Sequence, residues 1–538
     1  MRIALYGMPC AGKTTLMETI PDVRVIHGSR ELKRISGGSF SELSEEEKFD
    51  VRVKYTEYIK ELNDRVIISD GHYSFQNNVV FTEADGNLYD VFIYLYCSPK
   101  LLLHRYEESE KNTEYAKLSP AIIEQWQNFE IASLRFECHK RGKDFYVVSD
   151  GQTSLCRFTE FINYIKGGYS SYKLAKGLVR EIRAVYPEPC ELSIVDGDKT
   201  IIIQDSFRYC CNGTTSVFDG NFYTGYQSFL FQNDFGKITP DSDKIKLLEI
   251  NETIFERIRD KNYIVLSSGI TELWNQIGVG KKIMNVFANP MISADTKYFV
   301  VKILRNCGYK IVAYGDSKND FYMLQEADAG FLYIGDRLSS SLRDENMRAI
   351  HLIYNMNPYI LADENDLEVM KDIDICKSNS GVNGSNLAAA HFRLGQKIGK
   401  KIGEVIPKID TAILVLERGG RFFGDGLYSS FGGTFYAFNS SKESIPVIDK
   451  NRIIIVDSVI NTGKSILEII GTIKENKPDV EIIIASNVIQ QKTLALFRKY
   501  KVFAVRVSEN SFVGKRQAKQ AGDTGPDTAD RLFNLIES

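Results

Sequence analysis

Three loops of phosphate-binding type stand in order along this chain, each directly after an apolar run of strand character. They are GMPCAGKTT from Gly7, VDGDKT from Val195 with YGDSKND from Tyr314, and IIIVDSVINTGKS from Ile453. A loop that cradles phosphate needs a strand to aim it and a helix N-terminus to face the anion, so each segment dictates parallel α/β structure around itself. Three such loops exceed what one core can carry. At 538 residues the chain has room for about three domains of ~150–200 residues.

Lys and Arg total 67 against 70 Asp and Glu, a formal charge of −3. That balance excludes the broad basic field of a nucleic-acid or anionic-membrane binder and suits small anions held in local clefts. The nine cysteines are scattered singly apart from Cys210-Cys211, without CxxC pairs or histidines at ligand spacing. Neither a zinc site nor a disulfide framework is expected. The chain enters a strand at once (RIALYG), and no stretch approaches the ~18–20 apolar residues of a membrane span. A cytoplasmic protein is expected.

Short apolar runs (Ile3–Tyr6, VIIS from Val66, VFIYLY from Val91, FYVV from Phe145) alternate with charged stretches of helical period, which predicts a parallel sheet covered on both faces. Composition shifts to Gly, Ser and Tyr around KGGYSSYK, before the breaker PEPC at Pro187–Cys190. The expected domains are 1–168, 169–350 and 378–538, with the polar stretch 351–377 as a linker. The last repeats the strand–helix alternation with AILVL, RIIIVD, EIIIAS and VFAVRV. The fold class is therefore α/β, three consecutive domains each built on a mainly parallel sheet.

In the first domain, Gly7, Gly12, Lys13 and Thr14 satisfy GxxxxGK[ST] between strand and helix. The glycines admit backbone N–H groups to the β-phosphate, Lys13 reaches the β/γ oxygens, and the Thr14 hydroxyl is suited to Mg²⁺, with Thr15 beside it. Asp70, ending the run VIIS, offers a carboxylate that holds the metal through water. The P-loop at the start of the chain, IISDGHYSF, YLYCSPKLLLHRYEES and IIEQWQNFE together resemble small nucleoside and nucleotide kinases of the adenylate kinase type. The resemblance implies phosphoryl transfer from ATP to a small acceptor. It departs at the lid, where that family has arginines and this chain offers Arg105, Lys111 and Lys117, and lysine is the poorer bidentate partner for phosphate.

In the second domain, ELSIVDGDKT ends a strand in DxDxT, with Asp196, Asp198 and Thr200. Ser267 ends a second strand, Lys297 follows in ISADTKYFVVKIL, and Asp316 and Asp320 close the set. This ordered series resembles the haloacid dehalogenase superfamily, and FANPMIS and DFYMLQEADAGF are similar to its phosphoserine phosphatase branch. The resemblance implies a Mg²⁺-dependent phosphatase. Asp196 is the expected nucleophile, Asp198 the acid and base, and Ser267 and Lys297 neutralise the transferring group. Asp196, Asp198, Asp316 and Asp320 are the metal candidates. Between Thr200 and Ser267 there is room for a small cap. Its aromatics, in FDGNFYTGYQSFLF, either shape a leaving-group pocket or form the cap's own core.

In the third domain, Asp457 ends a strand, and Thr462, Gly463, Lys464 and Ser465 open a helix, an arrangement suited to ribose hydroxyls and a 5-phosphate. Ser458 stands where a P-loop would need its first glycine, which argues against a second ATP loop. Upstream, Arg418 and Gly419 in VLERGGRFF suit pyrophosphate. With the closing GDTGPDTADRLF, these resemble type I phosphoribosyltransferases, uracil phosphoribosyltransferase most closely, and so imply phosphoribosyl pyrophosphate (PRPP) as a substrate and a possible homodimer through this domain. Lys464 replaces a usual glycine. Pro526 falls about where the family offers backbone to the base, and proline has no N–H to give.

The combined expectation is a multifunctional enzyme of nucleotide or phosphoribosyl metabolism using ATP, PRPP and Mg²⁺, with small phosphorylated metabolites as partners and no nucleic acid or membrane. The alternatives are pyrimidine salvage, and a regulator that senses PRPP and nucleotides.

Overall fold

The computed structural model describes the chain except residues 39, 76–77, 110–114, 336–337, 343–344, 348, 355–357, 364–365, 440–442, 498, 509–526 and 536–538. Lys111, Pro526 and the segment GKRQAKQ lie outside the described residues. Mainly parallel sheets covered by helices make an α/β protein, and its contacts divide it into two compact units, Met1–Phe331 and Leu332–Ser538.

The first unit holds two parallel sheets and a short antiparallel pair, Ser74–Phe75 with Asn78–Val79. One consists of β1 (Arg2–Gly7), β2 (Arg24–Ile26), β3 (Ile67–Gly71), β4 (Val91–Tyr96) and β5 (Asp144–Ser149), in the order β2-β3-β1-β4-β5 and parallel throughout. Its strands are continuous apolar runs because both faces are covered, and Ile3, Leu5, Ile93 and Val148 share one buried cluster. The second, six-stranded sheet includes β6 (Glu191–Val195), β7 (Tyr263–Ser267), β8 (Val286–Ala288) and β9 (Lys310–Gly315), which run β8-β7-β6-β9 in parallel from one edge. In both, the phosphate-type loop follows a central strand.

The edge of the first sheet is closed by the segment expected to cap the second. Thr224 Oγ1 accepts a hydrogen bond from Val147 N (3.1 Å), and Gln227 Nε2 donates to Val147 O (2.9 Å), so two side chains satisfy a backbone unit that edge strand β5 would leave open. On the helix Gly225–Phe235, Tyr226, Phe229 and Leu230 are buried in one cluster with Phe158, Phe161 and Tyr146 of the first domain. Tyr226 and Phe229 thus join the core of the first domain, whereas Phe231 packs with Phe207, Phe218 and Phe235 of the cap segment itself.

The second unit carries β10 (Tyr359–Ile360), β11 (Thr411–Leu416), β12 (Thr434–Phe438), β13 (Arg452–Ile460), β14 (Glu481–Gln490) and β15 (Lys501–Ser508), ordered β10-β15-β14-β13-β11-β12 and parallel. Helix Gly384–Val405 packs closely on helix Arg421–Phe431. A Cβ on Gly395 would fall 2.1 Å from Phe423 O, and one on Gly426 2.0 Å from Phe392 O, so backbone touches backbone. The stretch 351–377, read from composition as a linker, supplies edge strand β10 and the helix Leu367–Cys376, which Asp366 caps through Val369 N. Polar residues that suggested a connection are partly the cap of a helix.

Candidate functional site

Asp196 leaves the end of β6, and the following turn swings wide. Lys199 takes a left-handed conformation (φ 55°), and Ile201 N and Ile202 N bond back to Asp196 O and Gly197 O, both at 3.3 Å. Gly197 is required by proximity: a Cβ there would lie 2.4 Å from the Trp274 ring and 2.8 Å from Ser267 Oγ. The close approach brings the turns after β6 and β7 together. Ser267 Oγ accepts from Gly269 N at 3.0 Å.

Lys297, fully buried on helix Ala294–Asn306, donates to Asp196 Oδ1 (2.5 Å) and Asp320 Oδ1 (2.7 Å). Asp320 sits in the first turn of helix Lys318–Glu326, and Gly315 lets it approach β9, since a Cβ on Gly315 would lie 2.3 Å from Asp320 Cβ. Carboxylate oxygens of Asp196, Asp316 and Asp320 lie within 4.8 Å of one another. Three acids facing one ammonium form a hard, oxygen-rich, net-negative set that fits a divalent cation. Asp198 is not in this group. Its carboxylate accepts from Ser206 N at 2.7 Å instead, so the candidate metal cluster forms without it.

The electrostatics follow from burial and crowding. Burial, then Asp320, raises Asp196 to about 6; burial, then Asp205, raises Asp198 to about 7. Asp316 is pushed well above the carboxylate range by burial and by Asp320 and Asp196. Burial opposes the charge of Lys297, but its two carboxylates outweigh that and raise it.

At the first loop, Gly12 has φ 101° and opens the helix Lys13–Glu18. Gly7 passes so close to β4 that a Cβ would sit 2.7 Å from Leu95 O. The buried Lys13 Nζ bonds to Gly7 O (2.7 Å) and Met8 O (2.9 Å), and burial lowers it to about 8. Arg105, expected in the lid, is bound to the loop itself through Cys10 O (2.9 Å) and Ala11 O (3.0 Å). Asp70 ends β3 beside Leu5 of β1 and accepts from Gly28 N at 2.6 Å. Thr14 and Thr15 follow Lys13 on the first turn of the helix.

In the second unit Asp457 stands on β13, raised to about 7 by burial although the N–H groups of Ser458 and Val459 oppose the shift. Gly463 (φ 72°) opens the helix Lys464–Asn476, whose first turn carries Lys464 and Ser465, and Thr462 Oγ1 accepts from Lys464 N at 3.4 Å. The upstream loop lies beside the acid: a Cβ on Gly419 would fall 3.7 Å from Asp457 Oδ1. Arg418 is half-exposed and paired with Asp530 at 3.1 Å. The Lys464 side chain is exposed, near Glu468 at 3.8 Å.

Two groups that the sequence reading did not single out support these sites. On helix Pro120–Arg141, buried Arg135 and His139 hold the buried Asp295, with Arg135 Nε 3.1 Å and His139 Nε2 2.8 Å from Asp295 Oδ1. Asp295 lies two residues before Lys297, so a helix of the first domain braces the helix that carries the lysine. Beneath Asp457, buried His391 Nδ1 meets Ser458 Oγ at 2.9 Å. A polar residue interrupting the apolar face of a helix was the available signal in each case.

Residues 437–534 match the family model described as uracil phosphoribosyltransferase. No curated protein matches the chain. Among solved structures, the AQ2163 protein from Aquifex aeolicus is 11% identical and covers 33% of this chain and 99% of its own, with a TM-score of 0.27. A xanthine-guanine-hypoxanthine phosphoribosyltransferase of Helicobacter pylori is 20% identical over 22% of this chain and 81% of its own, TM-score 0.19. A hydrolase of the haloacid dehalogenase family from Salmonella enterica serovar Typhi is 15% identical over 34% of this chain and 76% of its own, TM-score 0.19. Among the described residues no helix is long and apolar enough to cross a membrane.

Proposed function

We propose that the chain is a multifunctional enzyme of phosphoribosyl metabolism, with an aspartyl-phosphate phosphatase and an ATP-dependent phosphotransferase in its first unit and a PRPP-dependent transferase in its second. The observation that carries the reading is the convergence of Asp196, Lys297, Asp316 and Asp320 from two loops and two helices into one cluster.

In the phosphatase, Asp196 attacks phosphorus, the bond to the leaving oxygen breaks, and Asp198 gives that oxygen a proton. Asp198 then takes a proton from water, whose oxygen attacks the aspartyl-phosphate and frees Asp196. Lys297 and Ser267 offset charge on the phosphoryl oxygens. A divalent cation held by Asp196, Asp316 and Asp320 supplies further positive charge there when bound. In the P-loop, Lys13 exchanges its two carbonyl partners for phosphate oxygens. In the transferase, Asp457 takes the ribose hydroxyls and the amides at Thr462–Ser465 take the 5-phosphate. A phosphatase beside a transferase suits a path in which a 5-phosphoribosyl product loses its phosphate.

Hydrolysis of an aryl phosphate with Mg²⁺ tests the phosphatase assignment: Asp196→Asn is expected to lose at least about a thousandfold in kcat, and turnover within a few-fold of the parent rejects it. Uracil salvage is the second reading, favoured by the family match at 437–534. Saturable UMP formation from uracil and PRPP would establish it, and pyrophosphate release only with other acceptors would dismiss it.

A further inference from the structure

At the ends of β13, β14 and β15, in the second unit, lies a small cavity in which two guanidinium groups meet no carboxylate. Its walls include Cys376, His391, Asn487, Arg506 and Arg531, and among the described residues no Asp or Glu lines it. Val459, Val488 and Arg506 stand side by side on the three strands and also line it. Val459 lies two residues beyond Asp457, so the cavity sits at the same end of the sheet as the acid proposed for ribose.

The two cations are held differently. Arg531, 1% exposed, donates to Val382 O (2.9 Å) and Ser380 Oγ (3.0 Å), and at 3.4 Å to Ile375 O, Cys376 O and Asn383 Oδ1. Each of these acceptors is neutral, so the donors are used but the charge is not offset. Arg506 is partly buried and, among the described residues, makes no hydrogen bond or ion pair. Burial pushes both guanidinium groups down, and the group that acts against it on each is the Cys376 thiol. Asp372, the acid that acts on that thiol, is already taken by Arg393 at 2.5 and 2.9 Å. Desolvated charge without a counter-charge is costly, and an ion of opposite sign relieves it.

Asn487 adds a second gap. It is 3% exposed, its Oδ1 is buried without a partner, and its Nδ2 stands 3.4 Å from His391 Nε2. Half a turn of the amide gives Oδ1 the N–H of His391 Nε2 and frees Nδ2 to donate to an anion, while His391 Nδ1 accepts from Ser458 Oγ at 2.9 Å.

Size narrows the occupant. The free space is about 10 Å³, roughly that of one water. A water would satisfy hydrogen bonds and leave both charges standing, and a phosphoryl group is too large. A halide, or one carboxylate group entering end-on, fits both the room and the charge.

We propose that this cavity binds a small monovalent anion between Arg506 and Arg531, with the Asn487 amide turned to donate to it. A free ion such as chloride or formate has this chemistry, and so does the carboxylate of a larger molecule that serves as the ribosyl acceptor. The second source rests on the transferase reading above; the binding itself does not.

Calorimetry on the full-length protein with sodium formate and with sodium chloride, in a buffer whose own anion is the larger sulfate, tests the binding. Saturable binding of formate, chloride or both is expected. Arg506→Gln should weaken it at least about tenfold, the loss of one hydrogen bond to a charged group. Because Arg506 is unpaired, that variant should keep an unchanged or higher Tm in the sulfate buffer. Binding of neither anion, equal binding by Arg506→Gln, or a lowered Tm that marks Arg506 as structural each overturns the inference. Pyrophosphate release from PRPP with Mg²⁺ separates the sources. Release driven by small carboxylic acids, with their KM raised about tenfold in Arg506→Gln, assigns the anion to the acceptor; bound formate or chloride without such release assigns it to a free ion. No release with carboxylic acids or with uracil counts against the transferase, and calorimetry still decides the anion site.

Discussion

Under the proposed function, the phosphatase cluster and the transferase loop would meet the same requirement, holding a phosphorylated substrate at the end of a parallel sheet, by opposite means. In the first, side chains from three separate elements are paired: Lys297 and Asp320 are fully buried and bonded together, and Asp196 is the second partner of Lys297. In the second, one buried acid and a row of backbone amides are the proposed contacts, and the guanidinium singled out for pyrophosphate, Arg418, is half-exposed. A mutually paired cluster is preorganised without its ligand, but its members are also part of the core. In the backbone cradle the acid is buried with only the N–H groups of Ser458 and Val459 to offset its charge.

Substitutions that separate function from stability expose the contrast. The largest effect is expected for Lys297→Met. It leaves Asp196 and Asp320 buried without their counter-charge, which costs about 3–5 kcal/mol as well as phosphatase activity. Chemical denaturation and aryl phosphate turnover measure the two losses, and a variant inactive but as stable as the parent would show that the pairing is not structural.

Asp457→Asn should behave in the opposite way. Burial already raises this acid to about 7, so removing its charge relieves the folded protein. The expected outcome is an unchanged or higher Tm with PRPP affinity reduced roughly a hundredfold, the worth of two charge-assisted hydrogen bonds at about 1.5 kcal/mol each. Calorimetry with PRPP and Mg²⁺ reads the affinity, and a fall in Tm beyond that of Lys297→Met would erase the distinction.

Arg135→Met tests how far the paired cluster extends. Arg135 also donates to Tyr322 Oη (2.9 Å) and Phe222 O (2.8 Å), so its loss strands Asp295 beside a His139 that burial holds toward the neutral form. Destabilisation of about 3 kcal/mol and a several-fold fall in phosphatase kcat are expected, measured well below the Tm. Unchanged kcat would confine the first domain's role to support.

The same difference governs what could be read from the sequence. The alternation of apolar runs and helical stretches gave the α/β class because parallel strands buried on both faces have a distinctive composition. The phosphatase residues were legible because their order along the chain is tied to the ends of successive strands. Asp198 was assigned to the metal as well as to acid–base work, since spacing cannot tell which way a carboxylate turns after a wide loop. The bond from Arg135 to Asp295 joins residues 160 apart, and helical periodicity carries no information about such a partner. Nor does it reveal that Tyr226 and Phe229 fill a neighbouring domain's core. Edge strand β10 escaped notice because two residues of strand inside an Asp- and Asn-rich stretch leave no period to detect.

The smallest expected effect concerns acid, and it is read on one histidine of the second unit. His391 lies buried against Ser458 beneath the transferase acid, and burial, with Arg531 nearby, lowers it to about 3. Its folded value is below the unfolded value of about 6.5, so the neutral ring contributes stability that is fully present above about pH 6.5 and is lost as the pH falls toward 3. Between pH 7.5 and 5.5 this amounts to about 1.4 kcal/mol, one pKa unit's worth. Burial lowers His72 and His139 of the first unit as well, so the effect of His391 is read as the difference between the parent and a variant at that residue. Denaturation of the parent and of His391→Asn at the two pH values is the measurement: the parent should lose about 1.4 kcal/mol more than the variant, in the transition that belongs to Leu332–Ser538. Equal losses in both proteins would mean that His391 does not set the acid sensitivity of this unit, and that the contrast between the two sites ends at their ligands.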